Sequence, residues 1–205
     1  MSNSIFLEPN IDSNNKVYLQ IHDTSGQEQS HLKDAFTNKL SEHGLQITEN
    51  LEAAHYMLQI NVLQLGKNLP QYAQKSLKSG YGTAIEGAWI GKSIAKSKKS
   101  TESLGSVVGA SIATAASAML DDAMYSAIAD VQVSERIDGE ATETIKSSLA
   151  QGKSTKQEIR FKRKTTWLKY QTRVVTSAAR INLKYHTAAP ILYEQLVTSI
   201  SGILN

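Results

Sequence analysis

The sequence contains no cysteine among its 205 residues, which excludes disulfide bonds, thiolate metal sites and a cysteine nucleophile within it. Aromatic residues make up only 6% of the chain, and there are three prolines. The formal net charge of +3 is too small to indicate a nucleic-acid-binding protein by itself. These absences leave the compartment open, because many periplasmic proteins also lack disulfides.

The first ten residues, MSNSIFLEPN, lack a basic segment followed by an apolar run. We therefore expect no signal peptide in this chain, so that either the protein is cytoplasmic or its leader has been removed. The length and the 40% hydrophobic content fit one medium globular domain, with or without an appendage.

Strand-like alternation surrounds one helix in the first third of the chain. The segments KVYLQI (16–21) and AHYMLQINVLQL (54–65) alternate or run apolar as strands do. Between them, we predict a helix with Ser30 as its N-cap and Gly44 just beyond its end. Its apolar face would consist of Leu32, Ala35, Phe36 and Leu40.

Strand composition returns at Tyr125 with YSAIADVQVSERI. Two further β-like segments follow, at 156–170 and 170–185, and a last helix is predicted to begin near Pro190. The apolar face of that helix would contain Ile191, Leu192, Leu196, Ile200 and Ile203. The sequence thus predicts an α+β fold, a mixed sheet with flanking helices, whose single body is formed by residues 1–78 and 125–205.

Residues 79–124 interrupt this body with a stretch rich in glycine and alanine, which we interpret as a helical hairpin. At helical spacing, each arm has a stripe of small residues that lets two helices approach closely. The stripes are Ala84, Gly87, Ala88, Gly91 and Ala95 in the first arm, and Gly105, Gly109, Ala113 and Ser117 in the second. The polar turn between the arms would be an exposed tip containing Lys96, Lys98, Lys99 and Glu102.

The hairpin is open to three interpretations. Residues 103–120 carry no charge, and as a helix they would span about 27 Å, close to the roughly 30 Å core of a bilayer. The first arm carries Glu86 and Lys92, and a charge at the bilayer centre costs about 2.5–3.5 kcal/mol. A lone hairpin would therefore insert poorly, whereas several packed together could shield Glu86.

The other two interpretations are a hairpin that serves as a protein–protein seam in water and a disordered linker. For membrane insertion, Tyr81 and Trp89 are the candidate interfacial anchors.

Reactive constellations are weak in this sequence. His22, Asp23 and Ser25 are too close together in one turn for a catalytic triad, and Asp121 with Asp122 reads as the solvated end of a helix. The glycines of GYGTAIEG do not match a dinucleotide-binding loop. No metal-ligand spacing joins the five histidines, so we predict no catalytic, cofactor-binding or metal site; the histidines are His22, His31, His43, His55 and His186.

The basic run RFKRK (160–164) lies near Trp167 and Tyr170 and is the best candidate for nucleic-acid contact. Lysine and arginine are also common on exposed β-edges, where they prevent strand addition. We favour edge protection or contact with lipid phosphate, and we expect no nucleic-acid partner.

Several segments together resemble the TraT family of surface-exclusion and complement-resistance lipoproteins of conjugative plasmids. They include SIFLEP, VYLQI, LQINVLQ, GYGTAIEGAWIG, DVQVSER and, above all, the run from Lys169 to Leu204. The likeness extends over nearly the whole chain. Two departures are the missing lipidated cysteine and the charges of the hairpin at Glu86 and Lys92.

The resemblance implies an outer-membrane lipoprotein without enzymatic activity. It further implies a ring-like homo-oligomer whose glycine-rich hairpins enter the membrane and whose surface reduces mating and complement attack. Partners would then be outer-membrane lipid, other copies of the chain, and donor-cell or complement components. The competing class is a soluble periplasmic scaffold or binding module, and an enzyme is a third class that no residue pattern supports.

Overall fold

The computed structural model describes residues 1–7, 14–26, 31–83, 85, 124–150, 156–180 and 182–204, and it describes the backbone alone at 145–150 and 156–161. Both small-residue stripes and the tip lie outside these residues, as do Ser30, Glu86, Trp89, Asp121 and Asp122.

The first part of the chain forms three strands around one helix. In chain order these are β1 (Lys16–Asp23), α1 (Leu32–Glu42), β2 (Gln46–Thr48) and β3 (Tyr56–Lys67), with a short 3-10 helix at Leu51–Ala53. The two predicted strands are confirmed. Of the predicted helix face, Leu32, Phe36 and Leu40 are buried on α1. The prediction is wrong for Ala35, which is exposed because the buried stripe repeats every four residues and Ala35 lies at its edge. The predicted N-cap is wrong, because His31 occupies that position and makes no capping side-chain bond.

The remaining described elements are α2 (Pro70–Ser79), β4 (Met124–Ala150), β5 (Lys156–Ala179) and α3 (Tyr185–Ser201), followed by a 3-10 turn at Gly202–Leu204. None of the helices within these ranges is long and apolar enough to cross a membrane. The predicted strand at Tyr125 is confirmed, but it is far longer than the alternating segment suggested.

One mixed sheet contains all five strands in the order β2-β1-β3-β4-β5. β1 is parallel to both β2 and β3, whereas β3–β4 and β4–β5 are antiparallel. The sheet combines parallel and antiparallel pairs, and its two longest strands form an antiparallel hairpin, which makes the fold α+β as the sequence predicts. Strands from before and after residues 84–123 therefore share one sheet.

The main core lies between one face of the sheet and helices α1 and α3. Alternate residues of β3 and β4 point into it because side chains of a strand alternate between faces. Buried members of this cluster include Leu58, Ile60, Val131 and Val133 from the strands, and Phe36, Leu40, Leu196 and Ile200 from the helices.

Helix α2 was not predicted, because its sequence PQYAQKSLKS is polar and reads as a loop. Pro70 stands in its first turn, where a missing backbone N–H costs nothing. Its buried residues Ala73 and Ser76 face the sheet. Helix α2 covers one end of the sheet face that points away from the main core.

The end of the chain differs from the prediction in three respects. The two β-like segments form a single strand, β5, and the second does not continue past Ala179, because the chain turns at Asn182 with φ 57°. Helix α3 begins at Tyr185, so Pro190 lies inside it and not at its start. Ile191 is 41% exposed, whereas the other four predicted face residues are buried.

Candidate functional site at the root of residues 84–123

The chain leaves the described body through a short segment that follows α2. Gly80 and Gly82 adopt positive φ angles of 77° and 73°, a conformation that side chains with a Cβ rarely take. These two glycines turn the chain so that Thr83 lies back over the sheet. The segment from Gly80 to Thr83 is called the exit segment below.

The exit segment is bound by a buried ion pair. Asp130 on β4 and Arg173 on β5 are direct cross-strand partners. Both alternate with core residues, so they lie on the sheet face opposite α1 and α3. Arg173 is fully buried and binds the carboxylate with both ends of its fork, Nε to Oδ1 at 2.6 Å and Nη2 to Oδ2 at 2.9 Å.

The remaining hydrogen bonds of this pair hold the exit segment. Arg173 Nη2 donates to the Thr83 carbonyl at 2.8 Å, and Nη1 donates to Thr83 Oγ1 at 3.1 Å. Nη1 also lies 3.3 Å from the Ser76 carbonyl of α2. The backbone N–H of Gly82 donates to Asp130 Oδ2 at 2.8 Å. The geometry thus fixes both the last turn of α2 and the point where the chain leaves the body.

The beginning of the chain is held at the same residue. Ser2 N–H donates to the Arg173 carbonyl at 2.8 Å, and Arg173 N–H donates to Ser2 Oγ at 2.9 Å. Next to it, Thr172 Oγ1 accepts from Asn3 N–H at 3.2 Å and donates to the Asn3 carbonyl at 2.9 Å. Residues 2–3 therefore run along the outer edge of β5, beside the exit segment.

The chain returns to the body at Met124, the first residue of β4. Asn68, between β3 and α2, holds this point with two bonds. Its N–H donates to the Met124 carbonyl at 2.8 Å, and its Nδ2 donates to Ser126 Oγ at 2.8 Å. The points where the chain leaves and re-enters the body are thus both bonded to the end of the sheet that α2 covers. This region, formed by the exit segment, Asp130, Arg173 and Asn68, is called the root.

Tyr81 is the one predicted interfacial anchor within the described residues. It is partly exposed and belongs to the exit segment. Burial and, to a lesser degree, the negative charge of Asp130 raise the pKa of the Tyr81 hydroxyl above its usual value. Its role at a membrane interface stays a prediction.

The predicted basic run lies on β5, the edge strand of the sheet. Arg163 Nε is 2.7 Å from Glu143 Oε2, and Lys164 pairs with Glu140. The guanidinium of Arg136 stacks on the Trp167 ring, 4.3 Å from its centroid. Cations paired with neighbouring glutamates on an edge strand fit the edge-protection interpretation.

The described residues contain no group of three or more histidines, aspartates or glutamates placed to hold a metal ion. Asp23 Oδ1 accepts the backbone N–H of Ser25 at 2.7 Å, so this carboxylate closes a local turn.

Sequence reasoning missed Asp130 and Arg173. The available signal was one acidic and one basic residue, each next to apolar residues of a strand, in AIADVQV and TRVV. A charge among apolar strand residues indicates a buried pair. The partner could not be chosen, however, without the register of β4 on β5.

Comparisons with known proteins agree over the full length of the chain. The family model described as enterobacterial TraT complement resistance protein matches residues 1–204. A TraT complement resistance protein of Escherichia coli is 37% identical over 207 residues, covering 100% of this chain and 84% of the relative. Another, from E. coli strain K12, is 35% identical with the same coverage.

Proposed function

Because this chain belongs to the TraT family of enterobacterial complement resistance proteins, we propose that it is a non-enzymatic envelope protein that protects the cell against complement and reduces conjugative mating. The observation that carries the proposal is the match over essentially the whole chain, from the first strand through the last helix. Both activities would come from the surface that the protein presents.

In this proposal the protein is lipid-anchored in the bacterial outer membrane, and residues 84–123 form a membrane-facing hairpin. The root supports this arrangement in one specific way. Arg173 holds Ser2 through its backbone and Thr83 through its side chain. An anchor that precedes residue 2 and a hairpin that follows Thr83 would then enter the same membrane.

The proposed active form is a homo-oligomer, and a ring is the arrangement that the family resemblance suggests. Packed hairpins would shield Glu86 from lipid, and the exposed tip would meet a donor cell or a complement component. Replacing Gly91 or Gly109 by leucine should separate the helices and weaken assembly. Native mass and detergent dependence measure this effect, and unchanged values in both variants would contradict it.

Liposome flotation tests the membrane contact. The purified chain should float with lipid vesicles without any covalent acyl group, whereas a variant in which a short linker replaces residues 84–123 should stay in the dense fraction. If both proteins remain in the dense fraction, the proposed membrane contact is wrong.

The cellular test compares bacteria that carry the natural gene, the gene lacking codons 84–123, or no gene. Survival in serum and the frequency of mating as recipients are the two readouts. Protection should require the natural gene. Equal survival and equal mating in all three strains would refute the proposed function.

A further inference from the structure

A cleft of about 510 Å³ lies on the open face of the sheet, beyond the end covered by α2. Its lining includes Gln59 of β3, Gln132 of β4, and Trp167 and Lys169 of β5. The volume falls within the range of small-molecule sites. None of these residues belongs to the root described above.

Four glutamines form a continuous row across this face. Gln171 Nε2 donates to Gln132 Oε1 at 2.7 Å, and Gln132 Nε2 donates to Gln59 Oε1 at 2.8 Å. Gln59 Nε2 then donates to Gln20 Oε1 at 2.7 Å. Each amide sits on a different strand, so the row crosses β5, β4, β3 and β1 in order.

The row keeps hydrogen-bonding capacity for a ligand. An amide has two N–H donors and two acceptor lone pairs, and the row uses at most one donor and one acceptor of each glutamine. Neighbouring amides repeat at the strand spacing of about 4.8 Å. Sugar hydroxyls both donate and accept, so a chain of sugar rings matches such a row.

An aromatic ring is already positioned at the side of the cleft. Arg136 covers one face of Trp167, and Arg136 is itself fixed, because Nε donates to the Ala54 carbonyl and Nη2 to the Leu51 carbonyl, both at 2.8 Å. A ligand therefore does not have to order the indole, which lowers the entropic cost of binding.

The charges beside the cleft leave a small positive excess. Among the residues that the structure describes, Arg163, Lys164 and Lys169 form ion pairs with two carboxylates, Glu143 and Glu140. The pair of Lys164 with Glu140 is largely exposed, at 77% and 60%, and such pairs are weak. A carboxylate on a ligand can therefore compete for Lys164.

A buried hydroxyl lies under the same region. Ser134 pairs across the sheet with Met57 and Lys169, both of which line the cleft. It is fully buried, and its Oγ has no hydrogen-bond partner in the structure. This spare polar atom lies on the strand face that carries the glutamine row.

From these observations we propose that the cleft binds an acidic oligosaccharide. Amides of the glutamine row bond the sugar hydroxyls, the indole of Trp167 contacts a ring, and Lys164 meets a carboxylate. The site is independent of the membrane contact and of the proposed function.

Fluorescence can test this directly, because the chain has only two tryptophans. In a Trp89→Phe variant of the full chain, Trp167 is the single reporter. Hexagalacturonate should change its emission saturably, and the neutral sugar maltohexaose should bind at least about threefold more weakly, since it lacks a charge for Lys164.

Gln132→Leu in the same background removes two bonds of the row and should weaken hexagalacturonate binding by about tenfold. Gln171→Leu removes one bond at the exposed end of the row, so it disturbs the fold less than Gln132→Leu does. It should weaken hexagalacturonate binding about threefold. The matched control is Gln195→Leu on α3, on the other side of the sheet, which should bind as the parent does.

Three results would overturn the proposal. The first is no saturable change with either sugar in a folded Trp89→Phe protein. The second is an equal change with inorganic phosphate alone, or equal affinity for both sugars. The third is an emission change that follows protein concentration without sugar, which would make the face a contact between copies of the chain.

Discussion

Arg173 is the residue on which the root depends. It is fully buried, and its fork joins β4, the end of α2 and the exit segment. Burying two charges costs hydration energy that their attraction only partly returns. We therefore infer that the main role of this pair is to position the exit segment, and that its net contribution to stability is small.

Replacing either charge alone should leave the other buried and unpaired. We expect Arg173→Met and Asp130→Leu each to lower the free energy of unfolding by about 3–5 kcal/mol. Urea denaturation measures this, and Arg180→Met, on an exposed arginine, is the control with an expected change below about 0.5 kcal/mol.

The double variant should be closer to the natural protein than either single variant, because no charge is then left without a partner. Limited proteolysis should still cut faster near Thr83, since the exit segment loses its donors. A double variant that resists proteolysis like the natural protein would show that other contacts hold the segment.

At the scale of elements, the β4–β5 hairpin is unusually long, since strands in globular proteins usually have about 3–10 residues. Its strands have 27 and 24 residues, but the pairing of β3 with β4 ends at Tyr56 and Glu135. Beyond the register shift between Arg136 and Ala141, the described part of the chain places no third strand beside the hairpin. A two-stranded ribbon has little stability of its own, so side-chain pairs at its base matter.

Glu143 supplies such pairs, with Lys169 at 2.9 Å and Arg163 at 2.7 Å. Hydrogen bonds from Lys169 and then Arg163 hold the pKa of Glu143 below its usual value. A lowered carboxyl pKa means that the contribution is present above the usual pKa near 4.5 and is lost as pH falls through the lowered value.

We therefore expect backbone amides at 141–144 to exchange hydrogen with less protection at pH 3 than at pH 6. Glu143→Gln should show the reduced protection already at pH 6. Glu42→Gln, which removes a similar pair on α1, should leave this region unchanged. Equal protection of the natural protein at both pH values would contradict the assignment.

Helix α3 contains a second element-scale test. Pro190 is exposed and lies inside the helix, where it lacks the N–H that would bond the preceding turn. Pro190→Ala should raise the free energy of unfolding by about 1–2 kcal/mol, because the helical gain exceeds the entropy returned to the unfolded chain.

Thermal or urea unfolding checks this value. Ile191→Ala, on the exposed neighbour, should change stability by less than about 0.5 kcal/mol. A destabilised Pro190→Ala protein would mean that the backbone conformation set by this proline is needed for packing α3 on the sheet.

On the scale of the whole molecule, all five strands of the sheet lie outside residues 84–123. Thr83 is held near Asp130, and Met124 lies six positions earlier on the same strand, about 20 Å away at strand spacing. A flexible linker of about ten residues can cover this distance.

Replacing residues 84–123 by such a linker should therefore leave the body folded. The linker is about a quarter of the original length, and each halving lowers the entropic cost of closing the connection by about 0.6 kcal/mol, so the free energy of unfolding of the body should rise by about 1 kcal/mol. Urea denaturation and circular dichroism measure the result. A protein that fails to fold, or that loses more than about 2 kcal/mol, would mean that the excised residues belong to the core.

Much of the fold was predictable from local pattern. The apolar alternation of β1 and β3 and the face of α1, apart from the exposed Ala35, were predicted correctly, because burial on one side produces a periodic pattern in sequence. The same logic failed at α2, whose buried positions are Ala73 and Ser76, and at Pro190, where tertiary packing overrides the helix penalty. The uncharged tract at 103–120 predicted an insertion, but no sequence pattern predicted the hydrogen bonds that hold the exit segment on the body.

By itself, the sequence determined β1, β3 and the beginning of β4, most of the buried face of α1, the family likeness and the absence of cysteine chemistry. Tertiary structure alone decided that Asp130 meets Arg173, that Ser2 and Thr83 are held at one residue, and that four distant glutamines form a row. The physical reason is register: hydrophobic periodicity depends on neighbours within one strand, whereas these contacts depend on which residues of different strands stand opposite each other.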